Sequence, residues 1–183
     1  DGAVLAGGEA IYLAPGAKIQ PGAVLNAEDG PIYVDENATV FENAILRGPT
    51  YVGRNCQIKP GADIEACALG TYSKVGGEVL DTIFQSYSNK AHDGHLGHAY
   101  LGRWCNLGAD TNNSNLKNDY STVSLYNAAT GDYEDTGCQF MGLVMGDHSK
   151  CGIDTMFNTC NVVGFFCKLY GSGLHPRHVP SFT

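Results

Sequence analysis

An aliphatic side chain recurs every six residues through most of this chain. It stands at Leu13, Ile19 and Leu25, then at Val34, Val40, Leu46, Val52, Ile58 and Ile64. After a one-residue slip it continues at Leu69 and Val75. Leu101 and Leu107 keep the step, and a looser set of Met145, Cys151, Phe157, Val163 and Leu169 closes the chain. Four residues after the aliphatic there is usually a small residue, as at Ala17, Ala38, Ala44, Cys56, Ala62, Ser73, Cys105 and Cys167. Neither the 3.6-residue period of a helix nor the two-residue alternation of a half-buried strand produces this pattern. A short strand and a turn in every six residues does. The aliphatic points into a narrow prism and the small side chain fits beside its corner. Three such sixes make one triangular coil of about eighteen residues, and stacked coils bury a continuous aliphatic column. The pattern therefore predicts an all-β, parallel β-helix solenoid. A β-sandwich would instead show alternation with turns every 8–12 residues.

The period breaks in three places. Residues 26–33, with Asn-Ala-Glu-Asp-Gly-Pro, read as a loop or bulge. Residues 80–95 lose the aliphatic step, and residues 112–139 read as a long polar excursion. We expect residues 1–33 to form irregular N-terminal coils and residues 34–183 to form the β-helix proper. Interruptions of a rigid scaffold are where function concentrates.

Composition adds limits. Hydrophobic residues make up 43% of the 183 residues and charged ones 16%, enough to bury a core. The 24 glycines suit corners that need unusual backbone angles. A net charge of −8 argues against a nucleic-acid surface, although Lys59, Lys74, Lys90, Arg103, Lys117 and Lys168 could hold an anion locally. The seven cysteines form no CxxC pair and read as small buried thiols of a reducing cytoplasm. No apolar run is long enough for a membrane-spanning helix, and no signal peptide is visible. A chain that starts at Asp1 and stops at Thr183 reads as a piece of a longer protein.

The densest chemistry runs from Asn89 to His98, with His92, His95 and His98, and is followed by Arg103, Trp104 and Asn106. A histidine between a broken coil and a resumed one can act as general base. Three histidines at steps of three also raise a metal reading. On a β-helix, residues three apart fall on different sides of a corner, so we expect no metal site here. Leu5-Ala6-Gly7-Gly8-Glu9 has glycines but no βαβ context for a nucleotide loop, and reads as a turn.

The segment from Lys90 to Asn115 resembles the acetyltransferase half of bifunctional bacterial sugar nucleotidyltransferases. These pair a glucosamine-1-phosphate acetyltransferase with an N-acetylglucosamine-1-phosphate uridylyltransferase. The family's Ala-Gly-His-Leu-Thr-Tyr-Leu-Gly is read at Lys90–Gly97, and its Asn-Ile-Gly-Ala-Gly-Thr at Asn106–Thr111. Ile58–Asp63 resembles its Leu-Arg-Pro-Gly-Ala-Glu, and Met145-Gly146-Asp147 through Thr155 its Ile-Gly-Asp…Ser-Asp-Thr. The resemblance implies a left-handed coil and a homotrimer. It implies acetyl transfer from acetyl-coenzyme A to an amino-sugar phosphate. His92 would be the general base and Glu78, fourteen residues earlier, would orient it. Lys59 would grip the acceptor phosphate, and His95, Asn106 and Asn115 would lie near the acceptor. Ala109, Thr155 and Ser172 would line the coenzyme groove. No nucleic acid, membrane or metal is implied. Leu80 stands where the family carries a phosphate-binding lysine, and His95 where it carries a tyrosine. The nucleotidyltransferase half is absent from this chain. Two other readings share the fold: a non-catalytic trimerising or regulatory domain, and a γ-class carbonic anhydrase with zinc between subunits.

Overall fold

The computed structural model describes residues 2–183 as a left-handed parallel β-helix with three flat faces. The first face carries Val4–Ala6, Val24–Asn26, Ile45–Arg47, Asp63–Glu65, Glu78–Leu80 and His95–Gly97 in one parallel ladder. The second is a nine-stranded sheet from Ile11–Leu13 to His178–Val179. The third runs from Lys18–Ile19 to Asn89–Lys90 and resumes as Lys150–Cys151 beside Lys168–Leu169. The right-handed preference of parallel crossovers comes from a twisted strand feeding a helix that packs back on its sheet. Here the coil connections are short flat strands rather than helices, so that reason does not act.

Along the strands inward and outward side chains alternate. Leu25, Leu46, Ile64, Val79 and Leu96 line the first face from inside. Val34, Val52, Leu69, Phe84, Leu101 and Met145 line the second. Val40, Ile58, Val75, Lys90 and Leu107 line the third. All of these are buried, most at 0% exposure, and at roughly 25 cal/mol per Å² of apolar surface this column is the main source of stability. Leu13 is exposed and Ile19 only half-buried, because both lie at the end of the stack where no coil covers them.

The ladder differs from the sequence expectation in three respects. It already runs through the first 33 residues, pairing Val4 with Val24 and Ile11 with Ile32, so residue 34 marks no break in the stack. It also continues through 80–95, with Phe84 and Lys90 in the inward positions. An aromatic and a cation there hide the aliphatic step. Finally, Asn112–Asn113 is still a coil strand, paired with Met156–Phe157. The excursion proper lies between a bridge at Leu116 and Phe140 and carries the hairpin Ser124–Asn127/Asp132–Asp135. That hairpin docks on the last coil. Tyr126 stacks on His178 at 3.6 Å, and Arg177 lies 4.5 Å from the Tyr133 ring centroid.

The corner between the second and third faces is a column of left-handed residues: Asn37, Asn55, Tyr72, Tyr87, Trp104, His148, Phe166 and Phe182 all have φ between 55° and 65°. From Tyr72 onward their rings stack one on the next, with centroids 4.5–6.1 Å apart.

Candidate active site

Asp63, Glu78 and His95 are successive partners on the first face. Their neighbours Ile64, Val79 and Leu96 point inward, so these three point out. A cavity of about 410 Å³ opens over them, lined also by Asp93, Gly94 and Asn112. The Asn112 side-chain oxygen accepts the His95 backbone N–H at 2.7 Å and continues the ladder beneath it. Gly94, at φ 109°, turns the chain into the His95 strand in a conformation few side chains tolerate.

His95 Nδ1 lies 3.1 Å from Glu78 Oε1. With Nδ1–H donating to the carboxylate, the lone pair is on Nε2, the nitrogen able to take a proton. Nε2 lies over Gly97, where a Cβ would stand 2.9 Å from it and 2.5 Å from the Asn115 amide nitrogen. Glycine at 97 is what lets the imidazole lie along the face.

A second acid–histidine pair follows three residues later. His98 Nε2 is 3.4 Å from Asp81 Oδ2, and His98 Nδ1 is 3.0 Å from the Asn115 amide nitrogen. The His98 ring stacks on Phe140 at 5.1 Å. Asp81 and His98 both take left-handed corner angles, φ 47° and 51°.

Beneath the cavity the Lys90 ammonium is inside the prism. It donates to the carbonyls of Gly76, His92 and Asp93 at 2.9, 2.8 and 3.3 Å. Burial pushes its pKa down to about 8, opposed by the carboxylates of Asp93 and Asp110. This side chain fixes the bend from which His95 emerges.

The structure brings together only part of the expected set. Glu78 faces His95, not His92. His92 follows Glu78 by 14 residues, too few to close a coil, whereas His95 follows it by 17 and is its ladder partner. His92 is exposed at the corner, and its carbonyl is held by Lys90. Asn115 joins the cluster through His98. Lys59 lies outside it, 5.2 Å over the Phe41 ring and 3.5 Å from Gln57 Oε1. Asn106 is on the third face, accepting from Asn89 Nδ2 at 2.8 Å. Ala109 and Thr155 are at the same edge of the prism as His92. The Ala109 carbonyl accepts from Asp154 N–H at 2.8 Å, and Thr155 is buried with its hydroxyl on the Gly152 carbonyl. Ser172 is exposed in the last turn. Among the described residues, no three His, Cys, Asp or Glu side chains converge as a metal site, and no helix is long and apolar enough to cross a membrane. Sequence reasoning missed Asp63, Asp81, Asn112 and the pairing role of His98. The signal was present: His98 follows Asp81 at the interval by which His95 follows Glu78.

Fold and cluster together define a hexapeptide-repeat left-handed β-helix with one acid–histidine pair on a face and a second at its corner. The chain is similar to the curated proteins named bifunctional protein GlmU. It is 28% identical to that of Picosynechococcus sp. over 125 residues, which cover 67% of this chain and 26% of that protein. It is 26% identical to that of Rippkaea orientalis over 132 residues, 68% of this chain and 26% of that protein. Against that of Methanocaldococcus jannaschii it is 30% identical over 106 residues, 58% and 25% of the two chains. The matches thus span about a quarter of these relatives' length. Among solved structures, the UDP-N-acetylglucosamine acyltransferase from Campylobacter jejuni superposes with a TM-score of 0.54 over 93% of this chain and 70% of that one, at 12% identity, a likeness of fold. No protein-family model matches the chain.

Proposed function

We propose that this domain is a coenzyme-A-dependent acyltransferase that N-acylates an amino-sugar phosphate, with His95 as its general base. The observation that carries the proposal is the Glu78–His95 pair at 3.1 Å on the wall of the cavity of about 410 Å³, which leaves Nε2 over Gly97 with its lone pair. His95 Nε2 takes a proton from the acceptor amine as nitrogen attacks the thioester carbon. The C–N bond forms, the C–S bond breaks, and the coenzyme leaves as a thiolate that recovers the proton from the imidazolium. Glu78 holds the tautomer and offsets the charge that forms on the ring. Acetyl-coenzyme A would run along the prism edge that carries Ala109, Thr155 and Ser172. The similarity to bifunctional GlmU proteins supports the donor and acceptor classes. No cysteine nucleophile is needed: burial pushes the Cys56 and Cys105 thiols up to about 11 and Cys67 up to about 12. All seven cysteines are free, which fits a reducing cytoplasm.

A homotrimer completes the proposal. The outward residues of the second face include Tyr12, Tyr33, Tyr51, Ile83 and Tyr100, each 41–53% exposed, and an apolar column of this length is a candidate subunit interface. Closed cyclic symmetry would then set the faces of neighbouring subunits around the site.

The test compares two single variants by coenzyme A release from acetyl-coenzyme A and glucosamine-1-phosphate. His95→Ala should lose roughly 10²–10⁴-fold in rate, and His92→Ala should change it little. The opposite order would return the base to His92. A second reading, a trimerising or regulatory domain without catalysis, is favoured by the position of Lys59 over Phe41 and by the uncharged Leu80. Under that reading neither turnover nor acetyl-coenzyme A binding is found.

A further inference from the structure

A second cavity, of about 220 Å³, lies where the excursion leaves the coil. Its wall is formed by Ser114, Lys117, Asn118, Asn158, Thr159 and Arg177. It contains two cations and no carboxylate, in a chain of net charge −8. Among the described residues neither Lys117 nor Arg177 makes an ion pair, whereas Arg47 and Arg54 both do. The Lys117 ammonium rests on the Ser121 hydroxyl and the Thr122 carbonyl. The Arg177 guanidinium rests on the Ser124 carbonyl and the Tyr133 ring. These contacts hold both side chains in place; the carboxylates of Asp119 and Asp135, which feel the Lys117 charge, lie outside the cavity wall and make no ion pair with it.

The position of this cavity links it to the His95 cavity. Asn112 and Ser114 are exposed, and Asn113 between them is buried. The two exposed residues therefore project to the same side of one strand segment, about 7 Å apart at the rise of a strand. Asn112 lines the His95 cavity and Ser114 lines the cationic one.

We propose that the Lys117–Arg177 cavity is a subsite for a phosphate monoester. Two fixed cations, with the side-chain amides of Asn118 and Asn158 on the same wall, match a dianionic group with several acceptor oxygens; the Ser114 and Thr159 hydroxyls are turned to each other and to the Leu116 carbonyl. The phosphate has two possible sources: the acceptor, whose amine would then reach His95, or the 3′-phosphate of coenzyme A. This assignment of source rests on the proposed acyltransfer, whereas the phosphate subsite itself does not.

The experiment titrates the full chain with inorganic phosphate by calorimetry, with sodium chloride as the ionic-strength control. Lys117→Met should weaken phosphate binding at least tenfold, and Arg177→Lys, which keeps the charge but not the fork, several-fold. Melting temperatures near the parent's show that both variants are folded. Phosphate affinity unchanged in both variants, or no binding by the parent chain at millimolar phosphate, overturns the subsite. Steady-state kinetics then assigns the source. A higher KM of Lys117→Met for glucosamine-1-phosphate alone places the acceptor phosphate there. A higher KM for coenzyme A thioester, absent with the dephospho form, places the 3′-phosphate there. Lys117-dependent phosphate binding in a chain without turnover leaves the subsite standing and removes the acyltransfer reading. Turnover abolished by His95→Ala but insensitive to Lys117→Met, with phosphate affinity also unchanged, does the reverse.

Discussion

The Lys90 ammonium lies 2.9 Å from the Gly76 carbonyl, inside a prism lined mostly by hydrocarbon and small neutral polar side chains. A buried charge costs several kcal/mol unless its hydrogen bonds are made, and here three carbonyls accept from it. Lys90→Met removes the charge and takes the ammonium donor from the Gly76 and His92 carbonyls, while the Asp93 carbonyl keeps the Asp110 N–H. We expect the melting temperature to fall and turnover to fall with it, because the Ala91–Gly94 bend loses its anchor. The pH dependence separates charge from packing. Burial sets the folded pKa of Lys90 at about 8, below the ordinary value of 10.5, so the unfolded chain binds the proton more tightly. The resulting penalty is fully present below pH 8 and is relieved as pH rises toward 10.5. The stability of the parent relative to Lys90→Met should therefore increase over that window, by up to about 3 kcal/mol. Chemical denaturation at pH 7.5 and 10 measures it; a flat difference would contradict this account.

Gly97 is the second point of control. A methyl group there meets the ends of two flexible side chains, His95 and Asn115. Gly97→Ala should fold but displace the imidazole, and misplacement on the order of 1 Å costs about 10²-fold in rate. Unchanged kcat in this variant would mean that His95 is not positioned by its contact with Gly97.

The aromatic corner gives a test of stability alone. Trp104 stacks on Tyr87 at 4.5 Å and on His148 at 6.1 Å, with a left-handed φ of 60°. A side chain at such an angle costs about 1–2 kcal/mol, and stacked pairs offset it at about 0.5–1.5 kcal/mol each. Trp104→Ala keeps the strain and loses both stacks. Trp104→Gly loses the stacks and the strain together. The alanine variant should be less stable than the glycine variant by about 1 kcal/mol in urea denaturation.

Much of this architecture was legible in the sequence because each coil writes its inward residue as an aliphatic at a fixed step. Val52, Ile58 and Ile64 are at 0% exposure as that step requires. It failed where the inward residue is Phe84, Lys90 or Asn113, side chains that a search for aliphatics passes over. The candidate site was half legible. Glu78 and a nearby histidine could be picked out by resemblance. Which histidine faces it is a matter of register, and register depends on a corner whose length no local pattern announces. The Asp81–His98 pair repeats the Glu78–His95 interval and becomes readable once that interval is known, whereas the Lys117–Arg177 cavity joins distant coils and emerges only when the stack is built.

The proposed trimer predicts a specific loss. Ile83 is 48% exposed between Ala68 and Tyr100 in the outward column of the second face. The parent chain should run as a trimer in light scattering at micromolar concentration. Ile83→Glu would place three charges at the closed interface and should shift the chain toward monomer with its melting curve still cooperative. A parent that is itself monomeric, or an Ile83→Glu trimer, would move the interface off this face.

The last prediction concerns the carboxylate of the candidate pair. Glu78→Gln keeps an oxygen that can accept the His95 Nδ1–H, so the ring can hold its tautomer. It removes the negative charge that offsets the imidazolium formed when Nε2 takes the proton from the amine. The amide can also turn its nitrogen toward Nδ1 and stabilise the wrong tautomer, with the proton on Nε2. Both effects act after the acceptor is bound, so the loss should appear in kcat, with KM for the amino-sugar phosphate nearly unchanged. The loss should be smaller than that of His95→Ala, which removes the base itself. The double variant should be no slower than His95→Ala alone, because orientation of an absent base has no further effect. Multiplicative losses in the double variant would show that Glu78 acts on the substrate directly and not through His95.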